Sequence, residues 1–90
     1  SAIQEEIQVQ AKDQLDKLCA TLSVPESNRH LVTGRPESEI PTQARAVACD
    51  LIIVGTHARW GLALLLGSTT DGVMHGAECD VLAVKVDARL

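Results

Sequence analysis

The sequence has almost no aromatic residues: it contains one Trp and neither Phe nor Tyr. Proteins that bind single-stranded nucleic acid usually stack bases on aromatic rings, so we expect no such site. The net charge of −4 also argues against a nucleic-acid partner, because phosphate-backbone binding needs a concentrated basic surface. A core built from Leu, Ile, Val and Ala instead favours helices packed on a small, well-covered sheet.

The sequence also lacks long apolar runs and paired cysteines. The longest fully apolar stretch, Leu62–Leu66, is too short to cross a membrane, and the acidic segment 1–12 is unlike a signal peptide. Cys19, Cys49 and Cys79 are odd in number and form no CxxC pair, so neither a disulfide framework nor a structural zinc site is expected. We therefore predict three buried free thiols in a reducing cytoplasm.

Apolar periodicity indicates where the helices and the first strand lie. Apolar residues at steps of three and four predict a helix of about twenty residues between Ile3 and Leu22. His30–Thr33 is predicted to be a short strand. A second helix is predicted with Ser38 as its N-cap and with Pro41 inside its first turn.

The periodicity changes after residue 50. Leu51–Val54 is a continuous run of β-branched and other apolar residues, typical of a strand covered on both faces of a parallel sheet, and Gly55 is predicted to end it. Val81–Val86 is predicted to be the last strand.

A third helix is predicted to begin at Ser68, after a loop that closes at Gly67. Gly72 and Gly76 lower its stability by roughly 1 kcal/mol each relative to Ala, so we predict that the helix packs closely on the sheet. Three apolar residues are expected to face that sheet, namely Val73, Met74 and Ala77.

A seven-residue pattern occurs twice in the chain. Ala48–Val54 resembles Glu78–Val84, and in each copy a Cys-Asp pair precedes the apolar strand residues. The two copies start thirty residues apart (48 and 78), which is about the length of one β-α-β unit. The elements together indicate the α/β class, with a parallel sheet and right-handed crossovers.

The loop between the predicted strand and the third helix is the most informative segment. Ligands of open parallel sheets bind outside the carboxyl ends of the strands, where this loop is expected to lie. A helix that starts at Ser68 would present free N–H groups to an anion, and the hydroxyls of Ser68, Thr69 and Thr70 could donate to phosphate oxygens. The residues alone predict either a phosphate site or ordinary turn and helix-cap chemistry.

Other reactive side chains predict no catalytic centre. His57 lacks a neighbouring carboxylate in sequence that would orient it, and no Ser-His-Asp or Cys-His spacing occurs. Trp60 could cover a ligand, anchor a partner or pack within the domain.

The sequence Asp50–His57, then Leu65–Ser68, then Val73–Val84, resembles the C-terminal half of the universal stress protein family. The resemblance implies a Rossmann-like α/β domain, related to the adenine nucleotide alpha hydrolases, with an open parallel sheet of five strands in the order 3-2-1-4-5. Residues 1–90 would supply strands three to five of this single domain. The first strand, helix and strand are expected in a longer gene product.

Nucleotide-binding members of the family carry a Gly-x2-Gly-x9-Gly-Ser/Thr loop that holds the ribose and phosphates of ATP. In this sequence Ala58 takes the place of the second Gly, and eight residues separate it from Gly67. A left-handed Ala58 would cost roughly 1–2 kcal/mol, which predicts a weakened site. The resemblance implies binding of ATP or another adenine nucleotide, with Mg²⁺ held through the phosphates, by Val54, Gly55, Ala58, Gly67, Ser68, Thr69 and Thr70.

The resemblance further implies a cytoplasmic, homodimeric module for stress signalling or protection, with the dimer formed through the last strand. Two alternatives are kept open. The protein could be an interaction module of the same family that binds no nucleotide, or it could have enzymatic activity amounting at most to slow ATP hydrolysis.

Overall fold

A computed structural model of the protein describes residues 1–56 and 67–86. The chain forms two compact units, Ser1–Thr33 and Gly34–Leu90. The helices are α1 (Ala2–Thr21), a short 3-10 helix (Glu26–Asn28), α2 (Pro36–Ala46) and α3 (Ser68–Gly76); the strands are β1 (Leu51–Thr56) and β2 (Asp80–Lys85).

The first unit is dominated by α1, which confirms the helix predicted from the apolar periodicity. Ser1 is its N-cap, because the Ser1 Oγ accepts a hydrogen bond of 3.3 Å from the Gln4 N–H. The apolar stripe of α1 stays largely exposed among the described residues: Ile3 and Leu18 are 69% and 58% exposed. The 3.6-residue period therefore predicts the helix correctly, but it does not predict what packs against the apolar side of that helix.

The Arg29 side chain links the segment that follows α1 to the helix through hydrogen bonds and an ion pair. Its Nε and Nη2 donate hydrogen bonds of 3.0 and 2.7 Å to the Val24 carbonyl, and its Nη1 lies 3.3 Å from Asp16 Oδ1. Asp16 also accepts a 2.7 Å hydrogen bond from Lys12 Nζ. The Lys12 hydrogen bond is the main cause that lowers the pKa of Asp16, with partial desolvation opposing it and Arg29 adding to it.

The prediction of a strand at His30–Thr33 is wrong for this structure, since these residues belong to no helix or strand. Leu31 and Val32 are about half exposed, at 50% and 48%. A strand is defined by hydrogen bonds to a neighbouring strand, and no described segment pairs with these residues. The five-stranded order and the upstream strand-helix-strand stay predictions.

In the second unit, α2 begins three residues earlier than predicted. Arg35 is the N-cap and Pro36 is the first helical residue, so Ser38 is not the cap. Proline suits this position because the first N–H of a helix has no intrahelical acceptor. Pro41 lies one turn further in and is buried against α3, which gives the ring a packing role.

The two strands are parallel, and this confirms the predicted α/β class. Their register runs from Leu51 opposite Asp80 to Thr56 opposite Lys85. The strand β1 does not end at Gly55, as the sequence predicts, because Gly55 is paired with Val84 and the ladder continues to residue 56.

One face of this sheet is covered and the other is exposed. Ile52 is 8% exposed and forms the core with Ala44 of α2 and Val73 of α3. On the opposite face of β1, Leu51 and Ile53 are 45% and 64% exposed. Because strand side chains alternate between faces, the prediction of a strand covered on both faces is wrong for the described residues.

The helix α3 begins at Ser68, as predicted. Val73 is fully buried at 0% exposure, whereas Met74 is 48% exposed and faces away from the core, contrary to its predicted position. Ala77, just after α3, packs on the core as expected. Gly72 faces Glu37 and Gly76 faces Pro41. The small residues therefore permit close contact with α2 and not with the sheet, which corrects the predicted partner.

The prediction of three buried thiols holds only for Cys19. Cys49 is exposed and Cys79 is partly buried. Both precede strands and lie in the turns that connect helices to the sheet, where connecting segments usually run over the surface.

Candidate functional site

The carboxyl ends of β1 and β2 form a common edge of the second unit. The last ladder pair joins Thr56 to Lys85, and the Val86 N–H continues the pairing with a hydrogen bond of 2.8 Å to the Thr56 carbonyl. Ligands of parallel sheets bind outside this kind of edge. The described residues at this edge are therefore the first candidates for a binding site.

The topology directs the amino end of α3 toward the same edge. Only residues 77–79 separate the end of α3 from the start of β2, so the carboxyl end of the helix lies near the amino edge of the sheet. The chain must cross back over the sheet to join two parallel strands, and α3 makes this crossing. Ser68, the first residue of α3, thus lies on the carboxyl-edge side.

Gly67 is the N-cap of α3 and has φ 87° and ψ 158°. Such a positive φ favours glycine, because a Cβ atom would strain the backbone. Among residues 1–56 and 67–86, no heavy atom lies within 4 Å of the place where that Cβ would be. The backbone angle thus requires glycine here, and none of the described residues blocks the approach of a ligand to this turn.

The first turn of α3 provides both attractive and repulsive groups for an anion. The first N–H groups of any helix lack intrahelical acceptors, and the helix dipole places partial positive charge there. The Asp71 N–H closes the turn with a 3.0 Å hydrogen bond to the Gly67 carbonyl. The Asp71 carboxylate lies in the same turn and would compete with a bound anion.

The three hydroxyl residues predicted for the site differ in their exposure. Ser68 is exposed and Thr69 is partly exposed, so both hydroxyls can reach a ligand. Thr70 is 3% exposed, which leaves little of its surface for direct contact. Two of the three predicted donors are therefore open to solvent.

Gly55 and Val54 lie in the strand and not in a loop. A Cβ on Gly55 would lie 2.9 Å from Val86 Cγ2, so close packing beside β2 already requires glycine at this position. Val54 is partly buried and packs on the core that Ile52 helps to form. Both residues have a packing role whether or not a ligand binds.

Lys85 is a cationic residue that sequence reasoning missed. It is exposed and lies at the carboxyl edge, opposite Thr56 in the ladder. Strand alternation places it on the same face of β2 as Val81, which packs on the core. The alternation of side chains between the two faces of the last strand could have predicted that Lys85 lies on this face.

The remaining predicted loop residue, Ala58, lies outside the described residues, as do His57 and Trp60. In the part of the chain that the structure describes, no three His, Cys, Asp or Glu side chains form a group that could hold a metal ion. No helix within residues 1–56 and 67–86 is long and apolar enough to span a membrane.

Comparison with known proteins gives a consistent result. The profile described as the universal stress protein family matches residues 1–85. Universal stress protein A homolog 2 of Coxiella burnetii is 42% identical over 77 residues, which is 86% of this chain and 53% of that protein. Universal stress protein A homolog 1 of the same organism is 39% identical over 82 residues, which is 91% of this chain and 57% of that protein.

A more distant similarity is found with the universal stress protein E homolog of Haemophilus influenzae, which is 38% identical over 63 residues, or 69% of this chain and 20% of that protein. The chain spans about half the length of the two Coxiella relatives. The profile covers every described element, from α1 to β2. The chain belongs to the universal stress protein family.

Proposed function

We propose that the protein binds an adenine nucleotide such as ATP at the carboxyl edge of the sheet and acts as a cytoplasmic stress-response module. The observation that carries the proposal is the open first turn of α3, which begins with a positive-φ glycine and an exposed serine. A helix start of this kind favours phosphate through its free N–H groups and its dipole. Membership of the family supports the choice of an adenine nucleotide.

Each group at this edge has a distinct role in the proposal. The phosphates lie at the first turn of α3, where the hydroxyls of Ser68 and Thr69 donate hydrogen bonds. Gly67 allows the backbone to approach the phosphates, and Lys85 adds a positive charge at the same edge. Mg²⁺ enters only with the nucleotide, through phosphate oxygens.

Titration of MgATP into the full-length protein by isothermal calorimetry tests the proposal. We expect saturable binding that Ser68→Ala weakens by roughly tenfold, as loss of one charge-assisted hydrogen bond predicts. Ser38→Ala is the matched control, since Ser38 is also exposed and lies in the first turn of α2. Absence of binding at millimolar MgATP, or equal effects of the two substitutions, would contradict the proposal.

An interaction module without nucleotide is the second candidate. Three residues of the site favour this alternative, because their positions have explanations that need no nucleotide. A side chain at Gly55 would crowd Val86, and Thr70 is nearly buried. Asp71 places a negative charge in the first turn of α3, where it would repel phosphate. Under this alternative the calorimetric titration gives no heat of binding, while the substitution Ser68→Ala leaves a protein partner bound.

We also propose that two copies associate through β2. Within the described residues β2 pairs only with β1, so its other edge presents unpaired backbone groups. The Val86 N–H points to β1. Because alternate residues of a parallel strand bond to the same neighbour, the N–H groups of Val81, Ala83 and Lys85 point to the open edge.

Ala83→Pro removes one outward N–H without removing a bond to β1, and proline is tolerated on the open side of an edge strand. We expect the full-length protein to sediment as a dimer and the Ala83→Pro variant to sediment as a folded monomer. Val84→Pro is the control, since it removes a bond to β1 and should lower the melting temperature as well. A wild-type monomer, or a dimer that Ala83→Pro leaves unchanged, would disprove association through this edge.

A further inference from the structure

The amino edge of the sheet, opposite to the candidate nucleotide site, contains a cavity lined by two thiols. The cavity has a volume of about 370 Å³ and lies between the end of α2 and the segments that enter the strands. Cys49 and Cys79 both line it, together with Arg45 and Glu78. Nothing in the proposed nucleotide site uses these residues.

The repeated sequence pattern explains why the two thiols meet. Each cysteine occupies the same place in its copy of the pattern, directly before the aspartate that leads into a strand. The strands are adjacent and parallel, and Leu51 is the ladder partner of Asp80. Equivalent positions before adjacent parallel strands fall at the same edge of the sheet, so the pattern brings Cys49 and Cys79 together.

The two entry segments lie beside each other at this edge. Cys49 lies two residues before Leu51, and Cys79 lies one residue before Asp80. Neither segment is a strand, because residues 50, 78 and 79 are bends and Ala48 has a left-handed φ of 56°. These turns, and not strand alternation, set the direction of the two side chains, and both thiols line the same cavity.

The local backbone holds one of these thiols in place at the cavity. The Cys49 N–H donates a 2.9 Å hydrogen bond to the Ala44 carbonyl, so the turn after α2 is tied to the end of the helix. Cys49 is exposed, whereas Cys79 is partly buried. An oxidant from solvent therefore reaches the Cys49 sulfur first.

We propose that Cys49 and Cys79 are a redox pair that forms an intramolecular disulfide on exposure to a peroxide. The Cys49 sulfur attacks the peroxide oxygen, the O–O bond breaks, and a sulfenic acid and one water (or alcohol) are formed. The Cys79 sulfur then attacks the Cys49 sulfur, the S–O bond breaks, and a second water leaves. Two electrons pass from the thiols to the peroxide, and a dithiol reductant reverses the change.

The disulfide would close a segment of the chain that includes β1 and α3, since Cys49 precedes β1 and Cys79 precedes β2. A cross-link across about thirty residues limits the unfolded chain, and we expect the melting temperature to rise by at least about 5 °C on oxidation. Transient disulfides of cytosolic proteins commonly serve redox sensing. This inference does not depend on nucleotide binding.

Peptide mapping of the reduced, full-length protein after treatment with equimolar hydrogen peroxide tests the pair. Trypsin places Cys49 in the peptide 46–59 and Cys79 in the peptide 60–85, while Cys19 falls in the peptide 18–29. We expect 46–59 cross-linked to 60–85 under non-reducing conditions, with loss of two hydrogen atoms from the intact mass. Dithiothreitol should restore both free peptides.

Three serine substitutions separate this pair from random oxidation. Cys49→Ser and Cys79→Ser should each abolish the intramolecular cross-link, and Cys19→Ser should leave it unchanged, because Cys19 is buried in the other compact unit. Cross-links that include the peptide 18–29, disulfides between two copies, or separate sulfinic acids on Cys49 and Cys79 without a cross-link would each overturn the proposal. The wild-type peptide map decides the matter even if one variant fails to fold.

Discussion

Replacing Gly72 by alanine should destabilise the protein, although the same change in an exposed helix stabilises by about 1 kcal/mol. Gly72 lies in the middle of α3 and faces α2. An added Cβ would overlap the Glu37 Cβ and lie 3.1 Å from its Cγ and 3.6 Å from its Cα. Because the Cα and Cβ atoms cannot rotate away, the two helices must separate. We expect the free energy of unfolding to fall by about 1–3 kcal/mol.

Urea unfolding followed by circular dichroism measures this effect, and Gly76→Ala provides the matched control. Gly76 lies one turn further along α3, where an added Cβ would lie 3.2 Å from the Pro41 Cγ. The propensity gain of roughly 1 kcal/mol largely offsets this milder crowding, so we expect little net change. A Gly72→Ala variant as stable as Gly76→Ala would show that the helices do not pack this closely.

A double-mutant cycle tests the contact itself. Glu37→Gly removes the Cβ that Gly72 faces, at a helix-propensity cost of about 1 kcal/mol on its own. If the contact limits packing, Gly72→Ala should be less harmful in the Glu37→Gly background than in the wild type, with a coupling energy of at least about 0.5 kcal/mol. Additive effects would assign the instability to another cause.

The two glycines show what sequence reasoning can and cannot predict about packing. Their presence in a helix correctly predicted a close approach by another element, because glycine is otherwise unfavourable there. The prediction named the sheet as that element, and the structure shows α2. Sequence gives the size of a side chain at a position, whereas the partner depends on which face of the helix turns toward which neighbour.

The candidate site likewise contains features that the sequence predicts and features that it does not. The start of α3 at Ser68 was predicted correctly from local cap chemistry. The near-burial of Thr70 depends on tertiary packing, which no local pattern encodes. Lys85 is different, because the period-two pattern of the last strand could have placed it at the carboxyl edge. The strand predicted at His30–Thr33 fails for a related reason: β-branched composition favours an extended chain, but only a paired neighbour makes it a strand.

Val73→Asp should have the largest effect on stability of any change in α3. Val73 is 0% exposed and forms the core cluster together with Ala44 of α2 and Ile52 of β1. A carboxylate at this point loses its hydration without gaining a partner, which costs at least about 4 kcal/mol. A chain of this size has a total stability of about 5–13 kcal/mol, so we expect a largely unfolded or molten protein at 37 °C.

Val73→Ala gives a measurable intermediate. It removes two carbon atoms from the core and leaves a cavity, so we expect the free energy of unfolding to fall by about 2–3 kcal/mol. Thermal unfolding followed by circular dichroism would record a decrease of roughly 8–24 °C in the melting temperature. Binding of MgATP should weaken together with the packing of α3, because the proposed phosphate site is the first turn of this helix.

Met74→Asp is the control that tests whether the loss of stability in Val73→Asp comes from burial of the carboxylate. Met74 is adjacent in sequence and was predicted to face the same way, yet it is 48% exposed. A carboxylate there remains hydrated, so we expect a loss of about 1 kcal/mol or less, mostly from lower helix propensity. If Met74→Asp lowered the free energy of unfolding as much as Val73→Asp, the orientation of α3 described above would be contradicted. The direction in which its first turn presents N–H groups to a phosphate would then be wrong as well.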